Sequence, residues 1–130
     1  MSEIRANTIS DAAGTGPVTL TKQSAAKAWV NFNGTGTIAA RDSFNVSSLT
    51  DRGTGRYTVS FANSFGAADY SATAVAAKGD STQDPNFSTL IGTTLIVPTS
   101  SSIPVITGQP LGPVAQDSAF VNVTIHGDLA

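Results

Sequence analysis

The 130-residue chain has no cysteine, one tryptophan, one methionine and one histidine. Without thiols it forms no disulfide and no thiolate metal site, and its redox compartment leaves no mark on it. Charge is sparse too, with seven Lys and Arg against nine Asp and Glu and a formal net charge of −2. A nucleic-acid surface needs clustered Lys and Arg to displace counterions, and the basic residues here are scattered. No apolar run approaches the ~18 residues of a membrane helix. The best, LIGTTLIVP (90–98), is interrupted by Gly92, Thr93 and Thr94. The opening MSEIRANTISDAAG lacks a basic stretch followed by an apolar run, so no secretory signal peptide is expected. Synthesis in a cytoplasm, without membrane insertion, is the expectation. Four Asn-x-Ser/Thr sequons (Asn33, Asn45, Asn86, Asn122) carry little weight without a secretory route.

What the chain has in quantity is Ser and Thr, 32 together, and Ala, 18. With 40% apolar residues and a small net charge, it reads as a folded chain rather than a disordered one. Its length suits one domain with a modest core.

Helical periodicity is nearly absent. The one short candidate is KQSAAKA (22–28), for which an extended lead-in to the next strand is an equal alternative. Strand alternation recurs instead. AWVNF puts Ala28, Val30 and Phe32 on one face, and Trp29 and Asn31 on the other. SFNVSSLT (43–50) offers Phe44, Val46 and Ser48. RYTVSFA alternates Tyr57, Val59 and Phe61 with Thr58 and Ser60. DYSATAVAA sets Tyr70, Ala72, Ala74 and Ala76 against Ser71, Thr73, Val75 and Ala77. STLIGTTLIV follows, with Gly92 as a bulge or close approach. AFVNVTIHG turns Val121, Val123 and Ile125 one way, and Asn122, Thr124 and His126 the other. Turn-forming clusters fall at 14–17, 33–36, 51–55, 63–69, 78–86 and 108–113. Short strands punctuated in this way predict an all-β antiparallel sandwich, jelly-roll-like or Ig-like. TDRGTGRYT reads as a hairpin. PVITGQPLGPVAQD (104–117), with three prolines and two glycines, reads as a long irregular loop.

Residues 1–24 differ. Their apolar residues, Ile4, Ile9, Val18 and Leu20, are too sparse for a core and must pack on the main domain or on another copy. The division expected is an N-terminal arm at 1–24 and a globular part at 25–130.

Gly-Thr-Gly occurs three times, at 14–16, 34–36 and 53–55. None is followed by the Lys-Ser/Thr and helix of a phosphate loop, so all three read as turns. The single His126 lies in a strand. No Gly-x-Ser-x-Gly elbow accompanies it, so a solvent-facing histidine is favoured over a catalytic triad. Asp11, Asp51, Asp69, Asp80 and Asp128 occupy turn and strand-end positions rather than the flanking placement of glycosidase acids. GDSTQD (79–84) is a thin calcium candidate without the alternating acids and closing Glu of a Ca²⁺ loop. No catalytic residue, cofactor or metal is expected. A sugar-binding surface through Trp29 and Asn31 is the alternative to Trp29 lying under the arm or in a subunit interface.

The block SAAKAWVNFNGTGTIAARDSFNVSSLTDRGTGRYTVSFANSF (24–65) resembles a module of tail-fibre and related fibre proteins of tailed bacteriophages, especially marine and cyanobacterial phages. The resemblance is carried by KAWVNFNGTGT (27–37), RDSFNVSS (41–48), TDRGTG (50–55) and YTVSF (57–61). IRANTISDAAGTGPVTL and DSAFVNVTIHGDLA are similar to the two ends of such proteins. The resemblance implies a virion structural protein, a homotrimer whose arm serves attachment or trimerisation, with other virion proteins as partners. It implies no catalytic residues. Ile4, Ile9, Val18, Leu20 and Trp29 are then the expected oligomer or virion interface, and Trp29 and Asn31 the expected contact to a host glycan. Small residues suit close packing about a symmetry axis. Residues 78–116 match no recognised pattern, and loops there are expected to suit receptor contact.

Overall fold

The computed structural model describes Ala13 and residues 25–79, 88–91, 96–108 and 115–130, with the backbone alone at 88–91. Eight strands and no helix occur among them: β1 (Ala28–Asn33), β2 (Ala39–Phe44), β3 (Val46–Asp51), β4 (Arg56–Phe61), β5 (Ser71–Ala77), β6 (Ser88–Ile91), β7 (Ser102–Gly108) and β8 (Phe120–His126). They form two four-stranded antiparallel sheets. The first runs β2-β1-β8-β5 and the second β3-β4-β7-β6. The expectation of an antiparallel β-sandwich is met.

The core follows from alternation on the central strands of each sheet. Ala28, Val30 and Phe32 of β1 and Val121, Val123 and Ile125 of β8 point inward from the first sheet. Tyr57, Val59 and Phe61 of β4 and Ile103 and Val105 of β7 meet them from the second. Each Val, Ile and Phe among them contributes about 1.5–3 kcal/mol by leaving water. Across the sandwich Phe32 and Tyr57 stand edge to face, with ring centroids 5.2 Å apart. A second aromatic group, Phe61, Phe65 and Tyr70, closes one end. β5 contributes its alanines 72, 74 and 76, partly buried where the sandwich tapers.

Of the two alternatives for 22–28, the extended lead-in holds over the described part: residues 25–28 are not helical, and Ala28 already pairs with Ile125 of β8. Two expectations need correction. SFNVSSLT is not one strand. The chain changes sheet at Asn45, which has φ of 55°, a left-handed conformation that asparagine tolerates better than most residues. Asn45 Nδ2 donates to Lys27 O (3.0 Å) and Asn63 O (3.1 Å), and its Oδ1 accepts from Asn63 N (2.7 Å). Phe44 therefore ends β2 facing solvent, and Val46 begins β3 against the core.

Residues 104–108 are strand, not loop. Thr107 N–H points to β4, donating to Gly55 O. By alternation the amide position of Pro104 points the other way, toward β6. The last described pair there is Ile91 with Val105, so the missing donor of Pro104 falls past the described rungs. Residues 109–114, most of GDSTQD, Gly92 and the triplet at 14–16 lie outside the described residues.

The two described Gly-Thr-Gly triplets share one cause. Both turns are fastened to residues 116–118. Gly34 N donates to Ser118 O (2.8 Å) and Gly55 N to Asp117 Oδ1 (2.7 Å). The Tyr57 hydroxyl sits between them, donating to Gly34 O (2.9 Å). A Cβ on Gly34 would overlap that hydroxyl. One on Gly55, where φ is 63°, would come within 2.5 Å of Thr107 O. Glycine is required at both for close approach, and at Gly55 for its φ as well.

Candidate functional site

The outward side of the first sheet is the most unusual surface of the described chain. Four large apolar side chains are well exposed, and three of them lie on it: Phe44 (53%), Val75 (60%) and Phe120 (45%). Half-buried Trp29 joins them. Register explains the clustering. Trp29 of β1 is opposite Phe44 on β2 and Thr124 on β8. In the next row Asn31 is opposite Asp42 and Asn122, and Asn122 is opposite Val75. With strands about 4.8 Å apart and like-facing residues about 6.8 Å apart along a strand, Asn31 stands between Asp42 and Asn122, and Trp29 lies one row along, diagonal to both.

A bulge adds a charge to this row. Pairing of β1 with β2 slips between Asn31 and Phe32, so Asn31 faces Asp42 while Phe32 faces Ala40. Arg41 is the extra residue, and the bulge aims its side chain across the sheet. Its Nη1 donates to Asn31 Oδ1 (3.2 Å) and its Nη2 to Ala119 O (2.7 Å). The guanidinium lies 4.4 Å from the centre of the Phe120 ring, a cation–π arrangement worth about 0.5–1 kcal/mol at an exposed site. Asn31 Nδ2 in turn donates to Asn122 Oδ1 (2.6 Å). Trp29, Asn31, Arg41, Asp42, Asn122 and Thr124 line a shallow basin of about 510 Å³.

A second depression, about 640 Å³, lies at the sandwich end, lined among others by Phe65, Tyr70, Asp69, His126 and Asp128. His126 is half-buried there and is the cross-strand partner of Ser71. Burial pushes the Tyr70 hydroxyl up to about 12. It lies 3.1 Å from the carbonyls of both Thr99 and Ser102, which fixes it as a structural donor. Among the described residues no three of His, Asp or Glu converge where a metal ion would sit.

The structure brings Trp29 and Asn31 together on one face, as alternation predicts. Ile4, Ile9, Val18 and Leu20 lie outside the described residues. Sequence reasoning missed Arg41 and Asp42, because a bulge has no signature in a run such as AARDSF. It put Asn122 on the outward side of its strand but carried no signal of its pairing with Asn31, 91 positions away. Comparison of the chain with protein-family models, curated proteins and solved structures gave no significant match.

Proposed function

We propose that this chain is a small structural module of a bacteriophage fibre. In this reading it oligomerises as a homotrimer, attaches to other virion proteins through residues 1–24, and presents the outward side of the first sheet to a partner. One observation carries the contact part: three of the four well exposed large apolar side chains of the described residues, Phe44, Val75 and Phe120, project from that single face together with Trp29, and exposed apolar surface gathered on one face marks an interaction site. The resemblance of residues 24–65 to phage-fibre modules supports the virion setting. Ile4, Ile9, Val18 and Leu20 supply the apolar side chains of the assembly segment.

Static light scattering of the full chain over a wide concentration range tests the reading. A mass of three chains is expected, falling to one chain in the Val18→Asp, Leu20→Asp double variant while the β-sheet circular dichroism is kept. A wild-type protein that stays monomeric at every concentration overturns the trimer.

A further inference from the structure

The polar groups around Trp29 are oriented, and their orientation can be derived. Arg41 has donors only. Its bond to Asn31 therefore fixes the Asn31 carbonyl toward β2, which turns the Asn31 amide nitrogen toward β8. That nitrogen demands the carbonyl of Asn122, and the Asn122 amide nitrogen is left facing solvent, where it donates to no described residue. A donor-only residue on β2 thus sets a donor two strands away. On the other flank, Asp42 Oδ1 accepts its neighbour's amide, Ser43 N, at 2.8 Å. Its Oδ2 accepts from no described residue. Asn31 stands between the two, and Trp29 lies one row along, diagonal to both.

We propose that this basin is a binding site for a neutral saccharide. A sugar ring has an apolar C–H face and a rim of hydroxyls that both donate and accept. Trp29 supplies the flat apolar platform; one row along, Asp42 on the β2 side supplies the acceptor and Asn122 on the β8 side the donor. Few, fixed polar groups around an apolar floor are what orient a small ligand. The charge also selects. Both charges are exposed, but the Arg41 guanidinium is turned toward Ala119 O and the Phe120 ring, beyond Asn31 from Trp29, so an acidic sugar over Trp29 meets the Asp42 carboxylate first and is repelled. This rests on the reading of the outward face as a contact surface and names the chemistry of what it contacts.

Trp29 is the sole tryptophan, so its fluorescence reports on the site in the full chain. The probes are methyl α-mannoside, methyl β-galactoside, methyl N-acetyl-β-glucosaminide and, as the acidic counterpart, methyl β-glucuronide. A saturable change is expected with at least one neutral glycoside below about 50 mM, beyond the weak millimolar range, and a weaker one with the glucuronide. Asp42→Asn should narrow that difference. Arg41→Lys, which lacks the fork that holds Asn31, should weaken binding about tenfold, one hydrogen bond's worth. Asn122→Ala should do the same, and serves if the Arg41 variant folds poorly.

No saturable change with any neutral glycoside overturns the proposal, as do both variants binding like wild type. Emission that shifts with protein concentration and not with sugar means that the face closes on another copy, and overturns it too. A trimer that binds no sugar refutes only the saccharide site, and a monomer that binds sugar refutes only the assembly.

Discussion

Replacing Tyr57 by Phe removes one oxygen and little else. The ring and its edge-to-face contact with Phe32 remain. Lost are the bond to Gly34 O at 2.9 Å, the longer approach of Ser118 N at 3.4 Å, and the contact with Asp117 Oδ1 at 3.3 Å. Gly34 and Ser118 are both buried, so their groups lose a partner where water does not easily replace it. The cost is about 1–3 kcal/mol. With about 2.1 cal/mol/K of unfolding entropy per residue over roughly a hundred folded residues, the melting midpoint falls by about 5–15 °C. Thermal melts followed by circular dichroism at neutral pH measure it. A control sharpens the test. Gly34→Ala crowds the same hydroxyl, so combining it with Tyr57→Phe should cost less than the two single changes summed, by about 0.5 kcal/mol or more. A midpoint drop under about 2 °C for Tyr57→Phe, or strict additivity of the pair, refutes the hydroxyl as the joint between the turns.

Gly55→Ala should be more damaging than Gly34→Ala. It adds about 1–2 kcal/mol for a left-handed alanine to contacts with backbone atoms of Thr107 and Gln116 that have no side-chain freedom to yield. Expression in soluble form and the melting midpoint report it. At Asn45 the expected order of stability is wild type, then Asn45→Gly, then Asn45→Ala. Both variants lose the side-chain bonds to Lys27, Asn63 and its carbonyl, but only alanine resists φ of 55°; chemical denaturation ranks them. Alkali should destabilise the fold through Tyr70, whose ionisation is raised by burial from 10.0 to about 12. Below pH 10 both states keep the proton and the stabilisation is whole. Between about 10 and 12 the unfolded chain ionises first and stability falls. The gap between wild type and Tyr70→Phe should close across that window, and a constant gap from pH 9 to 12 refutes the assignment.

The strands that could be read directly were those whose alternation is enforced by burial on the inward side. β1, β4 and β8 are central, so their inward positions had to be Ala28, Val30, Phe32, Tyr57, Val59, Phe61, Val121, Val123 and Ile125. β2 is an edge strand exposed along its whole length, and nothing in its composition marks it as strand. Phe44 and Val46 mimic a single alternating run because the chain passes to the other sheet at Asn45 between them, and a left-handed residue at one asparagine is invisible to hydrophobic spacing. Pro104 hid β7, since a proline within a run argues against a strand. Trp29 and Asn31 were legible as a pair on one face. Their partners were not, because cross-strand neighbours are set by register and a bulge rather than by distance along the chain.

The fastening of both glycine turns to residues 116–118 also bears on when the fold can form. The hairpins β1–β2 and β3–β4 close locally and can pair early. Gly34 and Gly55, however, wait for partners 84 and 62 positions further on, and the second side of β1 waits for β8. Loops of that length close slowly. A chain still being synthesised through β7 therefore holds β1 with one open edge and both glycine turns without their partners Ser118 and Asp117. Residues 28–61 are thus the part whose closure depends on strands made last, and their interval of exposure is set by how quickly residues 116–126 arrive.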